Sequence, residues 1–561
     1  MDVMNFNETC HTPIRRGTPR FKTFVKKKKK LRLLCVRIKT NEHTEASVRP
    51  PKPRLQKPGG YFSGISQIQK RLSAEQYPQR IAFLQANRMS LSHVSLANPG
   101  AEDYPLSKAR TSQRTPKPTL VICGAGIAGV SAAYFLSQLW KGDLFLVDEN
   151  PPLSFTSDRS SECYRNWWSD AAMLALMNRS IDLMESLARQ TQNAFHLNRR
   201  GYLYLTAQSN RVEEMIGEAE RIACQGAGDL RIHEENSKTY QPAETPKLDG
   251  ADLLLGNALI RQHFPYITEK AVAALHVRRA GWLSAQQLGM ILLQKAQQNG
   301  VRFRRARLID IEVIAGRVRR VRLNNGESIA CDIFVNAAGP YLKEVGRLLE
   351  VNLPVENKLH LKMSLRDHLR VIGRNAPLLI WSDPQELEWS VEEREFLRAD
   401  PQTRALLSTL PPGAHVRPEG GGESQMVLML WDYQARPSPA VVWPPMEDPL
   451  FAEVVLRGLM TMLPGLRAYG KKMPRPQLDG GYYTHTPDNR PLIGALSIEG
   501  AYVLGALSGF GIMAACAAAE LLAAQILDKP LPTYAGEFTP QRYQDAAYVA
   551  RFVNDAPFGQ L

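Results

Sequence analysis

The chain is poor in the residues that build disulfide and metal frameworks. Its 561 residues hold seven cysteines (Cys10, Cys35, Cys123, Cys163, Cys224, Cys331, Cys516), scattered, with no C-x-x-C and no paired spacing. This excludes a disulfide scaffold and suits free, mostly buried thiols in a reducing compartment, so a cytoplasmic location is expected. The eleven histidines form neither H-E-x-x-H nor a Cys/His cluster, and no metal is expected. A secretory signal is not expected, as the start lacks a long apolar core, and Asp2 and Glu8 weaken a mitochondrial presequence. Only residues 501–527 form a long apolar run, with Glu520 its single charge. By length it would pass as a membrane span. Gly505, Gly509 and Gly511 instead divide it into a short strand, a glycine turn and an alanine-rich helix suited to close packing in an α/β core, so no transmembrane span is expected.

Acidic residues are scarce at one end alone. Residues 1–118 carry 24 Lys and Arg against 7 Asp and Glu, which leaves 46 and 48 for the remainder of a chain whose net charge is +15. The whole positive excess therefore lies in a tail, which reads as a basic, largely disordered extension with Lys26 to Lys30 in one run. One reading makes it a membrane-surface or nucleic-acid patch or a targeting address, with an organellar or membrane-peripheral location. The other makes it a solvated extension, or upstream sequence ahead of a start at Met89. The nearly neutral body is expected to bind no nucleic acid.

What is present is organised around Thr119 to Asp148. The apolar run Leu120 to Cys123 leads into Gly124, Gly126 and Gly129 and then into VSAAYFLSQL, which has helical spacing. Gly124 permits the sharp turn, Gly126 the approach of a pyrophosphate to the backbone, and Gly129 the packing of helix on strand, while the helix N-terminus faces the anion. A second apolar run, LFLV, ends in Asp148, placed to accept hydrogen bonds from ribose hydroxyls and unfavourable to a 2′-phosphate. A dinucleotide is expected in this turn.

Downstream, 171–190 reads as a helix, RRGYLYLTA as a strand entering a new sheet, and 281–300 as a helix capped by Ser284 and stopped at Gly300. CDIFVNAAGPY is a buried strand with a small-residue exit at Ala337, Ala338 and Gly339. Residues 353–472, richer in Pro and Trp, read as a separate α+β region that includes the strand MVLMLWDYQ and returns through DGGYYTHTPDNRPLIG.

Together CGAGIAGVSAAY with LVD, VNAAGPY, and YYTHTPDNRPLIG with GALSGFGIMAACAAAELLA resemble the FAD-dependent oxidoreductases of the D-amino-acid oxidase superfamily, in its sarcosine/glycine oxidase and dimethylglycine dehydrogenase branch. The resemblance covers about Thr119 to Tyr543. It implies a Rossmann-like FAD-binding domain of the glutathione-reductase type, from residues 119–195, 275–350 and 486–545, with an inserted α+β substrate domain from 196–274 and 351–485. It implies FAD held by Gly124, Ala125, Gly126, Ile127, Ala128, Gly129, Asp148, Glu149, Ser160, Ser161, Ala338 and Gly339, and by Gly509, Phe510, Gly511, Ile512 and Met513 at the start of a helix facing the flavin.

The same resemblance brings departures. The cysteine that sarcosine oxidases bond to flavin corresponds to Gly481, so attachment through that position is excluded. Their substrate-carboxylate lysine corresponds to Met513, the neighbouring histidine to Phe510, and the strand expected to carry their oxygen-activating lysine has none. A dehydrogenase is therefore favoured over an oxidase. Arg165 falls where the family grips a substrate carboxylate; pairing with FAD phosphate or with Glu162 is the competing role. Trp167, Trp168, Tyr202, Tyr204 and Trp431 are either pocket wall or core, and His485 a base or a structural histidine. The expected catalytic residues are Arg165 and Tyr483. The expected function is oxidation of the C–N bond of a small amino acid or secondary amine, the electron acceptor being unnamed. A hydroxy-acid or glycerol-phosphate dehydrogenase and a non-catalytic flavin-stabilised binding protein are the alternatives.

Overall fold

A computed structural model describes residues 117–554, except 246, 435, 436 and 447. The expectations for residues 1–116 lie outside the described residues. Around the glycine turn, the strand Thr119–Cys123 pairs in parallel with Asp143–Asp148 on one side and Ile333–Asn336 on the other. Arg302–Arg305 extends the sheet beyond Asp143–Asp148, and the antiparallel pair Leu492–Ala495 and Ala501–Gly505 completes six strands beyond Ile333–Asn336.

Strand alternation decides what covers each face. Leu120, Ile122, Leu144, Leu146 and Val335 point to a layer of helices, Ile127–Ser137, Ala171–Gln190, Ala285–Gln298 and Gly511–Ile526. Val121, Phe145, Val147 and Phe334 point the other way, onto a three-stranded antiparallel sheet formed by Leu308–Ile314, Arg317–Leu323 and Ser328–Ala330. The run 501–527 resolves as expected into a strand, a turn and the helix Gly511–Ile526, whose alanines let it lie against both Ile127–Ser137 and Ala171–Gln190. Among the described residues no helix is long and apolar enough to cross a membrane. Ser284 caps Ala285–Gln298 by accepting from the Gln287 N–H, and Gly300 follows at positive φ.

A second sheet of nine strands gathers distant pieces of chain, in the order Gln477–His485, Glu356–Arg366, Met426–Leu430, Ala414–Pro418, Leu378–Trp381, Tyr202–Thr206, Ala273–Val277, Ala251–Leu255, Leu230–His233. One face, with Leu203, Leu379, Val416, Met429 and Met363, packs against the helix Phe451–Met462. The opposite face carries the candidate site.

Candidate active site

The glycine turn has the geometry its sequence implied. Gly124 sits at φ +106°, and a Cβ there would lie 2.3 Å from the Ala337 carbonyl oxygen. A Cβ on Gly129 would meet Gly124 O at 1.8 Å. Helix Ile127–Ser137 starts at Gly126 with no side-chain cap on its N-cap residue, and the Ile127 N–H donates to Ser157 Oγ (2.9 Å). The Asp148 carboxylate ends the second strand and accepts from the Ala125 and Asn150 N–H groups (2.8 and 2.9 Å). A cavity of about 630 Å³ runs from Gly124, Ala125, Gly126, Ile127 and Ala128 past Asp148, Glu149 and Ser160 to Ala338, Gly339, Gly509, Gly511 and Ile512. Its glycine cradle, its open helix N-terminus and its acidic strand end fit an elongated dinucleotide.

Gly129 lines no part of this cavity; its place is against the turn, where only hydrogen fits. Ser161, Phe510 and Met513 face a second, larger cavity of about 1080 Å³. Gly509 and Tyr483 line both. There the chain turns through Ala506, Ser508 and Gly509, all at positive φ (51°, 47°, 83°), and a Cβ on Gly509 would strike the Tyr483 ring at 2.6 Å. The Ser508 N–H donates to Thr484 O (3.0 Å), which ties this strained turn to the strand carrying Tyr483.

The floor of the second cavity is the free face of the nine-stranded sheet. Cross-strand register puts Tyr483 and His485, Lys358 and His360, Leu430, His415, Leu378 and Ile380, Tyr202 and Tyr204, and Leu275 on that face. Arg165 is buried at the cavity wall. Its guanidinium carbon lies 4.4 Å from the Trp168 ring centre and 5.9 Å from that of Tyr202, and its Nε donates to Trp167 O (3.2 Å). Trp168 meets Phe510 edge to face at 4.5 Å. Trp167 and Trp431 also line the cavity, although both are buried. Glu162, the competing partner for Arg165, lies with Oε2 3.3 Å from Arg417, and its Oε1 accepts from the Ala285 N–H. His485 shares Nδ1 with Asn489 Oδ1 (2.9 Å).

Several residues here were missed by sequence reasoning. His360 stacks on Tyr483 at 4.0 Å, its Nδ1 lies 3.4 Å from Asp432 Oδ2, and its Nε2 is buried without a hydrogen-bond partner among the described residues. Burial, with His485 and Lys358 nearby, pushes the imidazole down to about 3, so it is neutral. Burial also raises the Asp432 carboxyl to about 6 against the opposing field of Lys358, and it pushes the Tyr483 phenol up. Lys362 Nζ donates to Ser160 O (2.8 Å), while Arg417 donates to Ser161 O (3.1 and 2.9 Å) and pairs with Glu419 (2.7 Å). These two cations of the second sheet clamp the loop that runs between the cavities. The alternation K-L-H-L-K in 358–362 was the available signal for a strand with one polar face. Among the described residues no group of three or more His, Cys, Asp or Glu is placed to hold a metal ion.

A mostly parallel sheet with a glycine cradle, joined at one strained turn to a pocket floored by a second sheet, defines a dinucleotide-binding fold of the oxidoreductase kind. The chain belongs to the FAD dependent oxidoreductase (DAO) family, whose model matches residues 119–525. It is similar to the mitochondrial dimethylglycine dehydrogenase of Homo sapiens, at 23% identity over 455 residues, which are 79% of this chain and 46% of that protein. It is also similar to the mitochondrial pyruvate dehydrogenase phosphatase regulatory subunit of Mus musculus, at 22% identity over 307 residues, 53% of this chain and 32% of that one. The chain thus spans less than half the length of these relatives. Its fold is shared with L-proline dehydrogenase from P. horikoshii (TM-score 0.59, 18% identity, 76% of this chain and 98% of that one). Glycine oxidase from Bacillus cereus gives TM-score 0.56 and 15% identity over 74% and 96%.

Proposed function

We propose that the protein oxidises the C–N bond of an amino acid or secondary amine, with FAD in the smaller cavity and the substrate in the larger. The observation that carries this reading is the meeting of the two cavities at Gly509 and Tyr483, with the Arg165 guanidinium buried at the wall of the larger one, 4.4 Å from the ring of Trp168, which in turn meets Phe510 next to Gly509.

Bound FAD supplies the two-electron acceptor for the hydride leaving the substrate carbon. The chain does the rest. Gly124, Ala125, Gly126, Ile127 and Ala128 hold the pyrophosphate, with Gly129 keeping the helix close; Asp148 and Glu149 take the ribose; Ser160, Ala338 and Gly339 line the path onward. The start of helix Gly511–Ile526 favours negative charge before it by up to about 2 kcal/mol. Arg165 holds the substrate carboxylate, and its field disfavours a protonated amine, leaving the lone pair that must expel the hydride. Tyr483 and His360 form the wall against which the reacting carbon lies, and the Asp432 carboxylate stabilises the positive charge that develops on the substrate nitrogen as the hydride leaves. Attachment of FAD at Gly481 is excluded because glycine offers no nucleophile, and the lysine-free strand Met426–Leu430 favours a dehydrogenase.

The test is to load the purified chain with FAD, mix it anaerobically with amines and with hydroxy acids, and follow flavin absorbance. Bleaching by amines, and a sharp loss of that response in Arg165→Lys, is expected. Bleaching by hydroxy acids alone would replace this reading with the hydroxy-acid dehydrogenase, and a yellow protein bleached by neither would make it a non-catalytic flavoprotein, as the regulatory-subunit relative's name allows.

A further inference from the structure

Resting on that reading, we infer that the substrate is elongated: an amino acid or secondary amine that carries a bulky aromatic or long apolar group beyond its reactive C–N unit. A glycine-sized molecule matches the junction but not the chamber. At about 1080 Å³ the cavity stands at the top of the range of roughly 300 to 1,000 Å³ that encloses drug-sized ligands.

Its shape follows from strand order. The cavity-facing residues run across seven adjacent strands, from Tyr483 on Gln477–His485 to Leu275 on Ala273–Val277. Six inter-strand steps make a floor about 29 Å long, measured along the sheet. The two halves differ in chemistry. At the end where the cavities meet, the floor is polar, with Tyr483, His360 and Lys358 in line and Asp432 beside them. Beyond His415 the floor turns apolar and aromatic, with Leu378, Ile380, Tyr204 and Leu275, and helix Val212–Ile222 brings Met215 and Ile222 to the same part of the cavity, with Glu214 and Glu218 exposed at its edge.

Arg165 stands between the halves, against Trp168 on the Phe510 side and Tyr202 on the apolar side. A carboxylate held there leaves the amine directed to the junction and any substituent directed along the apolar half. Tyr204 and Met215 are the half-buried members of that half, and a ligand group lying over them gains the free energy of removing their remaining apolar surface from water.

The experiment uses the FAD-loaded full chain and two carboxylates that cannot be oxidised, acetate and 4-phenylbutyrate, with affinity read from perturbed flavin absorbance and from tryptophan fluorescence. The aromatic acid is expected to bind about thirtyfold more tightly or better. Met215→Trp, which narrows the apolar half at a half-buried helix position, should reduce the ratio of the two affinities about tenfold or more. Equal affinities, failure of both ligands to bind, or an unchanged ratio in Met215→Trp would overturn the inference. So would equal kcat/KM for sarcosine and N-benzylglycine, an outcome that leaves the amine-oxidising function standing. Preferential binding of 4-phenylbutyrate with no amine bleaching the flavin would keep the elongated ligand and defeat the function.

Discussion

Arg165 shows how a single side chain gains meaning from its neighbours. Its buried guanidinium lies 4.4 Å from the Trp168 ring and 5.9 Å from that of Tyr202, a setting that strengthens charge-assisted bonds to a carboxylate by excluding water. Arg165→Lys keeps the charge but loses the planar fork, so KM for a carboxylate-bearing amine should rise about ten- to a hundredfold in anaerobic reduction kinetics while FAD content stays unchanged. Asp432 makes a pH prediction. With its carboxyl held up at about 6, it is neutral in mildly acidic solution and charged above, facing His360, Lys358 and Tyr483. Affinity for a non-oxidisable ammonium ligand should therefore increase as pH rises through about 6, and that step should vanish in Asp432→Asn, as titration at fixed ionic strength would show. Arg165 could be singled out in the sequence because the resemblance places it where the family grips a substrate carboxylate. His360 and Asp432 could not, because they lie 72 positions apart in sequence and meet only because the antiparallel pairing of Glu356–Arg366 with Met426–Leu430 brings the residues just past Leu430 beside His360.

At the scale of the element, the first glycine turn was read almost completely, because tight turns impose local steric demands that only glycine meets. Gly129→Ala would bring a methyl to 1.8 Å from Gly124 O, so the protein should purify with little or no FAD and with a lowered Tm. Gly217 is the counterexample: within helix Val212–Ile222 its Cβ would meet nothing within 4 Å, and Gly217→Ala should stabilise the protein by up to about 1 kcal/mol in thermal unfolding. The alanine-rich helix was likewise legible, since its composition fits packing between two other helices rather than contact with lipid. Within the acidic stretch 384–400 the helix is only Val391–Ala399, started by a capping box between Ser390 and Glu393.

Across the whole molecule, the motif T-P-D proves to be an anchor. Asp488 is fully buried and gathers Arg542 (2.7 Å), the Tyr543 hydroxyl (2.6 Å) and the Tyr548 hydroxyl (2.8 Å), which pins the segment after helix Gly511–Ile526 to the loop entering the six-stranded sheet. Burial opposes its charge, but the bonds and field of Arg542 outweigh this and hold the carboxyl at about 2. A carboxyl depressed in the folded state stabilises above its unfolded value near 3.8 and loses that contribution as pH falls toward 2. Asp488→Asn should therefore lower Tm at pH 7 and flatten the acid limb of the Tm–pH curve, an effect of about 2 kcal/mol at neutral pH.

The sequence by itself determined the glycine cradle, the strand-turn-helix near the C-terminus and the family to which the chain belongs, because each rests on residues adjacent in the chain whose sterics admit few conformations. Only the tertiary structure decided the chamber. Its floor is assembled from strands as distant as Tyr202–Thr206 and Gln477–His485, and which side chains share that face depends on pairing and register, quantities that no local stretch of residues contains.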